Sequence, residues 1–483
     1  MKNRRNFILS ISASIAAGSA LAGARAPKKP NIILVLADDL GWKELGCYGQ
    51  RKIRTPYIDQ MAAEGMRFTQ FYTGAPVCGP ARCNLLTGKH GGHAYIRNNG
   101  EVKEKQYELN GVTIFGGQTP LREQDVTIAE QLKAKGYATG CFGKWGLGAA
   151  STTGDPLKKG FDRFYGYNCQ CHAHNLYPKY LDRDGKPEFL EGNTRGVTGK
   201  QYAPQLIADE MLRFVKQNHE RPFFVYYPTV IPHLALQAPQ KEIDAYQGEW
   251  EETPYTGKAY LPHPTPRSCY AAMVTFMDKQ MGRLFALLKD LDIDKDTVVI
   301  FTSDNGATYL KQVDYEFFDS VGELRGLKGS VYEGGVREPF IARWPGRIAP
   351  GTVSGHIGAH YDVPATLAQI AGAEAPADSD GISILPELLG EGGRQKKHEF
   401  IFWDFAGYGG QIAVRMGDWK GVKQKVKTNP DAPLELYHLG SDPAEQNDVA
   451  QQHPEIAAKM EAIILQERDK PGIEKFRFGT YRN

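Results

Sequence analysis

The chain has 483 residues, 41% of them hydrophobic and 24% charged, with a formal net charge of +2. That length exceeds one ordinary core and points to one large and one small domain. The balanced charge, with no Lys/Arg run interleaved with aromatics, excludes a nucleic-acid surface spread over the molecule and leaves room for a local positive pocket.

Residues 1–26 read as an export signal. Lys2, Arg4 and Arg5 precede an apolar, Ser/Ala-rich run from Phe7 to Ala22, and Ala24-Arg25-Ala26 offers a small-residue cleavage site. The paired arginines also fit a twin-arginine signal, so the Sec and twin-arginine routes both stand, leading to a periplasmic or secreted protein. No later run of 18 apolar residues follows, so no membrane span is expected in the mature chain. The seven cysteines are too sparse for a disulfide scaffold, and their odd number leaves at least one free, paired outside the chain, or chemically changed. Cys169 and Cys171 are one residue apart and would pair only under strain.

Asn31 to Ala37 is a continuous apolar run, as expected of a strand buried on both faces, and it ends in Asp38-Asp39. Two carboxylates at the end of a buried strand need compensation, and a hard divalent cation supplies it. A helix from Pro56 stops at Gly65. In the stretch Val77 to Lys89, Cys78 sits at the start of a helix-capable run. Arg82 lies one turn later on the same side, a cradle for a nucleophile and an anion. The stretch Gly92 to Asn99, with His93, Arg97 and Asn98, then gathers polar groups suited to a hydroxylated ligand.

Val126 to Lys135 has helical spacing, and Tyr137 to Phe142 reads as the next buried strand, with Lys144 just past its end. His172 and His174 follow in an aromatic-rich segment. Gln205 to His219 reads as helix and Phe223 to Tyr227 as strand, leading to His233 beyond Pro232. Residues 268–289 form a long amphipathic helix. The strand Thr297 to Thr302 ends near Asp304-Asn305, a second oxygen-donor pair. Lys328 lies in a glycine-dense loop region able to approach a ligand closely. This alternation predicts an α/β domain over 27–390. After a linker at 390–397, strands at 400–405 and 412–422 and a helix from Pro454 to Glu467 predict a small α+β subdomain over 395–483.

Four strands thus end in ligating or charged side chains: Asp38 and Asp39, Lys144, His233, and Asp304 with Asn305. In open α/β sheets that edge is where ligands bind. Three carboxylates and an amide suit a hard cation, Ca²⁺ or Mg²⁺. Arg82, Lys144, His233 and Lys328 suit an anion, so the implied chemistry is group transfer from a phosphate- or sulfate-like ester.

With these residues in view the sequence resembles the type I sulfatases of the alkaline phosphatase superfamily, in the branch holding arylsulfatases and N-acetylgalactosamine-6-sulfatases. Cys78-Gly79-Pro80-Ala81-Arg82 fits that family's Cys-x-Pro-x-Arg maturation motif, with Ala81 where Ser is frequent. Leu86-Thr87-Gly88 matches its continuation, and Gly136-Tyr137 through Gly143-Lys144-Trp145 matches its second signature. The resemblance implies a large mixed sheet flanked by helices on both faces, with a small C-terminal α+β subdomain. It implies that a formylglycine-generating maturation enzyme oxidises Cys78 to formylglycine, whose hydrate is the nucleophile. Asp38, Asp39, Asp304 and Asn305, with residue 78, would hold the cation, usually Ca²⁺. Arg82 would orient the hydrate, Lys144, His233 and Lys328 would clamp the sulfate, and His233, with Lys328, would protonate the leaving alcohol. The expected substrate is a sulfated carbohydrate, of polysaccharide or glycosaminoglycan type. His93, Arg97, Asn98, His172 and His174 are the candidate substrate-binding residues. A phosphate or phosphonate monoester hydrolase and a glycan-binding pseudoenzyme with unmodified Cys78 are the competing readings. One departure stands out: the family commonly carries His after Lys-Trp, as a base for sulfate expulsion, and this chain has Gly146. His90, His172, His174 or an aspartate are the candidate substitutes.

Overall fold

The computed structural model describes residues 29–482, so the export signal read over 1–26 lies outside the described residues. Its main sheet has ten strands. In chain order they are β1 (Asn31–Asp38), β2 (Met66–Phe68), β3 (Ala138–Lys144), β4 (Arg163–Tyr167) and β5 (Tyr180–Arg183), then β6 (Lys186–Phe189), β7 (Phe223–Pro232), β8 (Thr297–Ser303), β9 (Phe340–Arg343) and β10 (Thr352–Ser354). Their spatial order is β10-β2-β9-β8-β1-β7-β3-β4-β5-β6. The five central strands, β8 to β4, run parallel. Antiparallel pairs flank them on both sides, making the sheet mixed.

Every residue of β1 is buried. Ile33, Val35 and Ala37 face one layer, together with Ile58 and Met61 of α1 (Pro56–Ala63). Ile32, Leu34 and Leu36 face the other, together with Leu85 and Leu86 of α2 (Cys78–Thr87) and Ile128 and Leu132 of α3 (Ile128–Ala134). The period-2 alternation of a strand therefore feeds two cores at once. The first layer is completed by α4 (Ala203–Asn218) and α5 (Pro266–Asp290), the second by α6 (Asp362–Ala371).

A separate four-stranded antiparallel sheet follows: β11 (Ile401–Phe405), β12 (Gln411–Met416), β13 (Trp419–Lys423) and β14 (Glu435–His438). The helix α7 (Pro454–Gln466) covers one face through Met460 and Ile464. The other face packs Trp403, Phe405 and Ala413 against Tyr72, Val331 and Val336 of the large domain. Trp403 Nε1 donates to the Thr73 carbonyl at 2.8 Å, close in sequence to the helix that carries Cys78. All seven cysteines are free thiols, Cys169 and Cys171 among them. Among the described residues no helix is long and apolar enough to cross a membrane.

Candidate active site

The carboxyl ends of β1, β3, β7 and β8 lie side by side in the parallel block, so Asp38, Lys144, His233 and Asp304 emerge along one edge. Helix α2 points its first turn at the same edge. Val77 is extended and Cys78 is the first helical residue, while Gly88 closes the helix at φ 75°. Every residue of α2 is buried. The one-turn spacing of Cys78 and Arg82 brings both side chains to Asp38: Cys78 Sγ lies 3.4 Å from Asp38 Oδ1, and an Arg82 guanidinium nitrogen lies 3.5 Å from Oδ2.

Cations crowd this thiol. Lys144 Nζ is 3.4 Å from Cys78 Sγ and 2.6 Å from Asp38 Oδ2. Lys328 Nζ is 3.6 Å from the same sulfur and 2.7 Å from the Asp39 carboxylate. Arg82 forks between Asp304 Oδ2 at 2.8 Å and the Lys144 carbonyl at 2.6 Å. Asp38, Arg82, Lys144, Asp304 and Asn305 are fully buried, where unpaired charges would be expensive. Asp39 adopts φ 65°, a left-handed conformation that Asp tolerates better than most residues. Its amide is held by Asp304 Oδ1 at 3.1 Å.

This packing sets the ionisation states. Burial raises the Asp38 carboxyl, but Lys144, Arg82 and Lys328 outweigh it and hold Asp38 well below the usual carboxylate range. Burial, aided by neighbouring Asp38, lifts Asp304 to about 6 against the pull of Arg82. Burial, with Asp38 adding to it, pushes the Cys78 thiol far up, so unmodified Cys78 is not a ready thiolate nucleophile. Burial, then Lys328 and Lys144, drive His233 well down, leaving it neutral. His233 Nδ1 faces the Leu234 carbonyl at 2.6 Å, so Nε2 is the nitrogen available on the Asp39 side, 3.6 Å from Oδ2.

The donor set fits a hard cation. Ligand atoms of Asp38, Asp39, Cys78 and His233 lie within 4.8 Å of one another. Asn305 donates Nδ2–H to Asp39 Oδ1 at 2.8 Å, which leaves its own Oδ1 buried without a hydrogen-bond partner. A buried amide oxygen beside carboxylates is a ligand type that Ca²⁺ and Mg²⁺ take.

A cavity of about 260 Å³ opens onto this cluster, lined by Cys78, His233 and Lys328 together with Gln170, His174 and Tyr260. The predicted substrate residues divide. His174 lines the cavity, its ring stacked 4.9 Å from that of His233, and burial, then His233 and Lys144, push it down to about 2. His172 is instead sandwiched between Phe115 and Tyr180, an aromatic core position outside the cavity. Arg97 is buried on the Ala94 carbonyl at 2.9 Å and reaches toward Asp404 of the small domain. Asn98 accepts from the Asn99 amide at 2.8 Å, and it is Asn99 that lines the cavity. His93 lies 2.8 Å from Asp380 Oδ1. His90 accepts the Gly92 amide on Nδ1, which places its proton on Nε2, directed at Glu467 Oε2 3.3 Å away. The His90, His93, Asp380 and Glu467 cluster is therefore a hydrogen-bonded clamp, and His90 does not line the cavity that holds Cys78. Asn99 is the end of the polar stretch read from the sequence, whereas Gln170 and Tyr260 escape sequence reasoning, because a neutral polar or aromatic residue in a loop carries neither charge nor period to mark it.

Residues 30–373 match the model described as Sulfatase, and residues 325–470 match that of the N-sulphoglucosamine sulphohydrolase C-terminal region. The chain is similar to N-acetylgalactosamine-6-sulfatase of Canis lupus familiaris, 35% identical over 476 residues and covering 89% of this chain and 84% of that protein. It is similar to arylsulfatase A of Homo sapiens, 32% identical over 493 residues and covering 94% of this chain and 89% of that protein. Among solved structures, Ps i-CgsB in complex with k-i-k-neocarrahexaose superposes with a TM-score of 0.76 at 26% identity, covering 92% of this chain and 94% of that one. The chain belongs to the sulfatase family and is a sulfuric ester hydrolase.

Proposed function

We propose that the protein hydrolyses a sulfate ester carried by a carbohydrate, using a formylglycine made from Cys78 by a maturation enzyme. The observation that carries this reading is the cage of Arg82, Lys144 and Lys328 around Cys78 and its neighbouring carboxylates. Two buried positive groups, Arg82 and Lys144, and the part-buried Lys328 face three buried carboxylates, so an added divalent cation leaves about two net positive charges for an anionic ester. The carbohydrate is supported by the relatives: one is named for N-acetylgalactosamine-6-sulfate and one structure holds a neocarrahexaose.

Asp38, Asp39, Asp304 and Asn305 would hold the Ca²⁺ ion, with Mg²⁺ the alternative. When bound, that ion supplies Lewis acidity and fixes the oxygens of residue 78. The hydrated aldehyde supplies a nucleophilic hydroxyl and a second hydroxyl on the same carbon. The chain's own side chains do the rest. Lys144 and Lys328 place positive charge on the sulfate oxygens, where negative charge builds as the ester bond breaks. Arg82, held by Asp304 and the Lys144 carbonyl, keeps the floor of the site rigid. His233 keeps Nδ1–H on the Leu234 carbonyl, so Nε2 handles the proton destined for the leaving oxygen. Burial, then Lys328 and Lys144, hold His233 neutral, and a bound anion offsets the contribution of the two lysines. Of the histidines that could substitute for a base at Gly146, His174 is the one in the cavity, because His172 and His90 are committed elsewhere; burial holds it down to about 2, so it accepts a proton only as a bound anion raises its basicity.

We also read the protein as exported, on the strength of residues 1–26. Mass analysis of the peptide carrying residue 78, paired with product release from matched sulfate and phosphate esters of sugars, tests the function. The expected result is an aldehyde mass and preferential sulfate release. An unmodified thiol with no hydrolysis would leave a glycan-binding protein, and faster phosphate release would move the chemistry to phosphomonoesters.

A further inference from the structure

Gly146 has φ 75°, and a Cβ built there would lie 2.8 Å from Gln170 Nε2. A Cβ on Gly79, the residue after Cys78, would lie 3.4 Å from the same nitrogen and 2.7 Å from Asn99 Oδ1. The two glycines thus leave a slot, and the Gln170 carboxamide enters it. The slot is rigid: Trp145 N–H donates to the Tyr167 carbonyl at 2.9 Å and Gly146 N–H to the Asn168 carbonyl at 3.3 Å, tying the two loops together. Gln170 is 5% exposed, lines the cavity that holds Cys78, and its Nε2 is buried with no hydrogen-bond partner. An unsatisfied buried amide donor destabilises the fold, so its retention beside residue 78 points to an acceptor that arrives with the modified residue.

We propose that Gln170 is a positioning residue whose Nε2–H donates to one of the two hydroxyls of the hydrated aldehyde at residue 78, holding that hydroxyl aside while the other faces sulfur. This rests on the formylglycine reading above. A carboxamide neither releases nor takes up a proton near neutral pH, so Gln170 orients the hydrate and leaves proton transfer to other groups. Its donation favours the hydrate over the free aldehyde, which forms from it by loss of water.

The test compares the matured parent with Gln170→Leu and Gln170→Glu, each normalised to its aldehyde content by mass. Only the free aldehyde condenses with methoxyamine, giving an oxime and water. Gln170→Leu is expected to react several-fold faster with methoxyamine and to lower kcat about 10- to 100-fold, with KM within about twofold. Gln170→Glu keeps the shape but donates only when protonated, so its kcat is expected to recover as pH falls where the parent's does not. Parent-like methoxyamine rates and kcat in Gln170→Leu, or a Gln170→Glu profile parallel to the parent's, overturn the proposal while leaving the sulfatase reading intact. A parent with no aldehyde at residue 78 overturns both, and the mass measurement separates the two failures. Should Gln170→Leu fold poorly, the pH profile of Gln170→Glu decides alone.

Discussion

Asn305 gives its side-chain N–H to Asp39 Oδ1 at 2.8 Å and keeps its own Oδ1 buried and unpartnered. That asymmetry orients the amide: the nitrogen is tied to a carboxylate and the oxygen is left free for the proposed cation. Dialysis against a chelator is expected to lower turnover at least tenfold, and added Ca²⁺ to restore it. Thermal unfolding gives a second readout, because an ion that binds only the folded state stabilises it by about 2.7 kcal/mol at a hundredfold excess over Kd. Asn305→Ala is expected to shrink that shift. A parent protein whose melting is indifferent to Ca²⁺ and Mg²⁺ would sink the metal assignment.

Much of this site was legible because its strands are. β1, β7 and β8 lie in the middle of the sheet, buried on both faces, so they read as unbroken apolar runs whose ends are easy to see. Charged residues directly past those ends are conspicuous, since such positions are buried. The strands β2, β9 and β10 have three or four residues each, and β5 and β6 four each, too short for a period to show. Polar clusters are ambiguous for another reason. His93 and Arg97 gather polarity as a binding loop would, but they hold the small domain and its flanking segments through Asp380 and Asp404. A domain junction and a sugar pocket draw on the same residue types.

Arg82 and Asp304 form a buried ion pair at 2.8 Å, joining α2 to the end of β8. Removing one partner strands the other, which typically destabilises a protein by about 3–5 kcal/mol. Arg82→Met is therefore expected to lower the urea midpoint and abolish turnover. The double variant Arg82→Met with Asp304→Asn is expected to regain much of the stability and none of the activity. If the double variant is no more stable than Arg82→Met, the pair is not the main contribution of Arg82. Arg82→Lys is expected to lose activity as well, because a lysine lacks the fork that spans Asp304 and the Lys144 carbonyl.

Asp278 of α5 accepts the Ile58 and Tyr57 amides at 2.7 and 3.3 Å, capping α1 from another helix. Burial nonetheless lifts its carboxyl to about 7, against those two amides and Lys279, with Asp59 adding to the rise. The folded state then holds a proton that the unfolded chain releases near the ordinary carboxylate value. This contribution to stability is full below about pH 4 and is lost as pH rises toward 7. Asp278→Asn removes the titration while keeping an acceptor oxygen. Denaturant titrations from pH 4 to pH 8 are expected to show the variant gaining on the parent by about 2–4 kcal/mol across that window. Parallel stability curves would show that the carboxyl titrates normally. Asp278→Ala is expected to be less stable than the parent at pH 4, by about 1–3 kcal/mol, through two uncapped amides, and to close that gap as pH rises, because it too removes the titration.

Restoring a histidine after Trp145 is the obvious engineering step if a base is missing there. The geometry argues against it as a single change. Any side chain at 146 requires a left-handed backbone, and its Cβ meets Gln170 Nε2 at 2.8 Å with Gln170 Cγ at 3.2 Å. Gly146→His is therefore expected to lower kcat and stability rather than raise turnover. Shortening the obstruction changes the balance: Gly146→His combined with Gln170→Ala opens the slot, and the imidazole can then approach residue 78. Activity of the double variant above that of either single variant is the expected outcome, a coupling that independent sites would not show. His174→Ala provides the matching control, since the neutral imidazole at His174 is the candidate base in the natural arrangement. Loss of turnover in His174→Ala, measured at saturating substrate, should be partly recovered when Gly146→His and Gln170→Ala are added. If His174→Ala keeps full kcat, the base lies elsewhere, and the Gly146→His series then reports only on how tightly the Gln170 amide is packed.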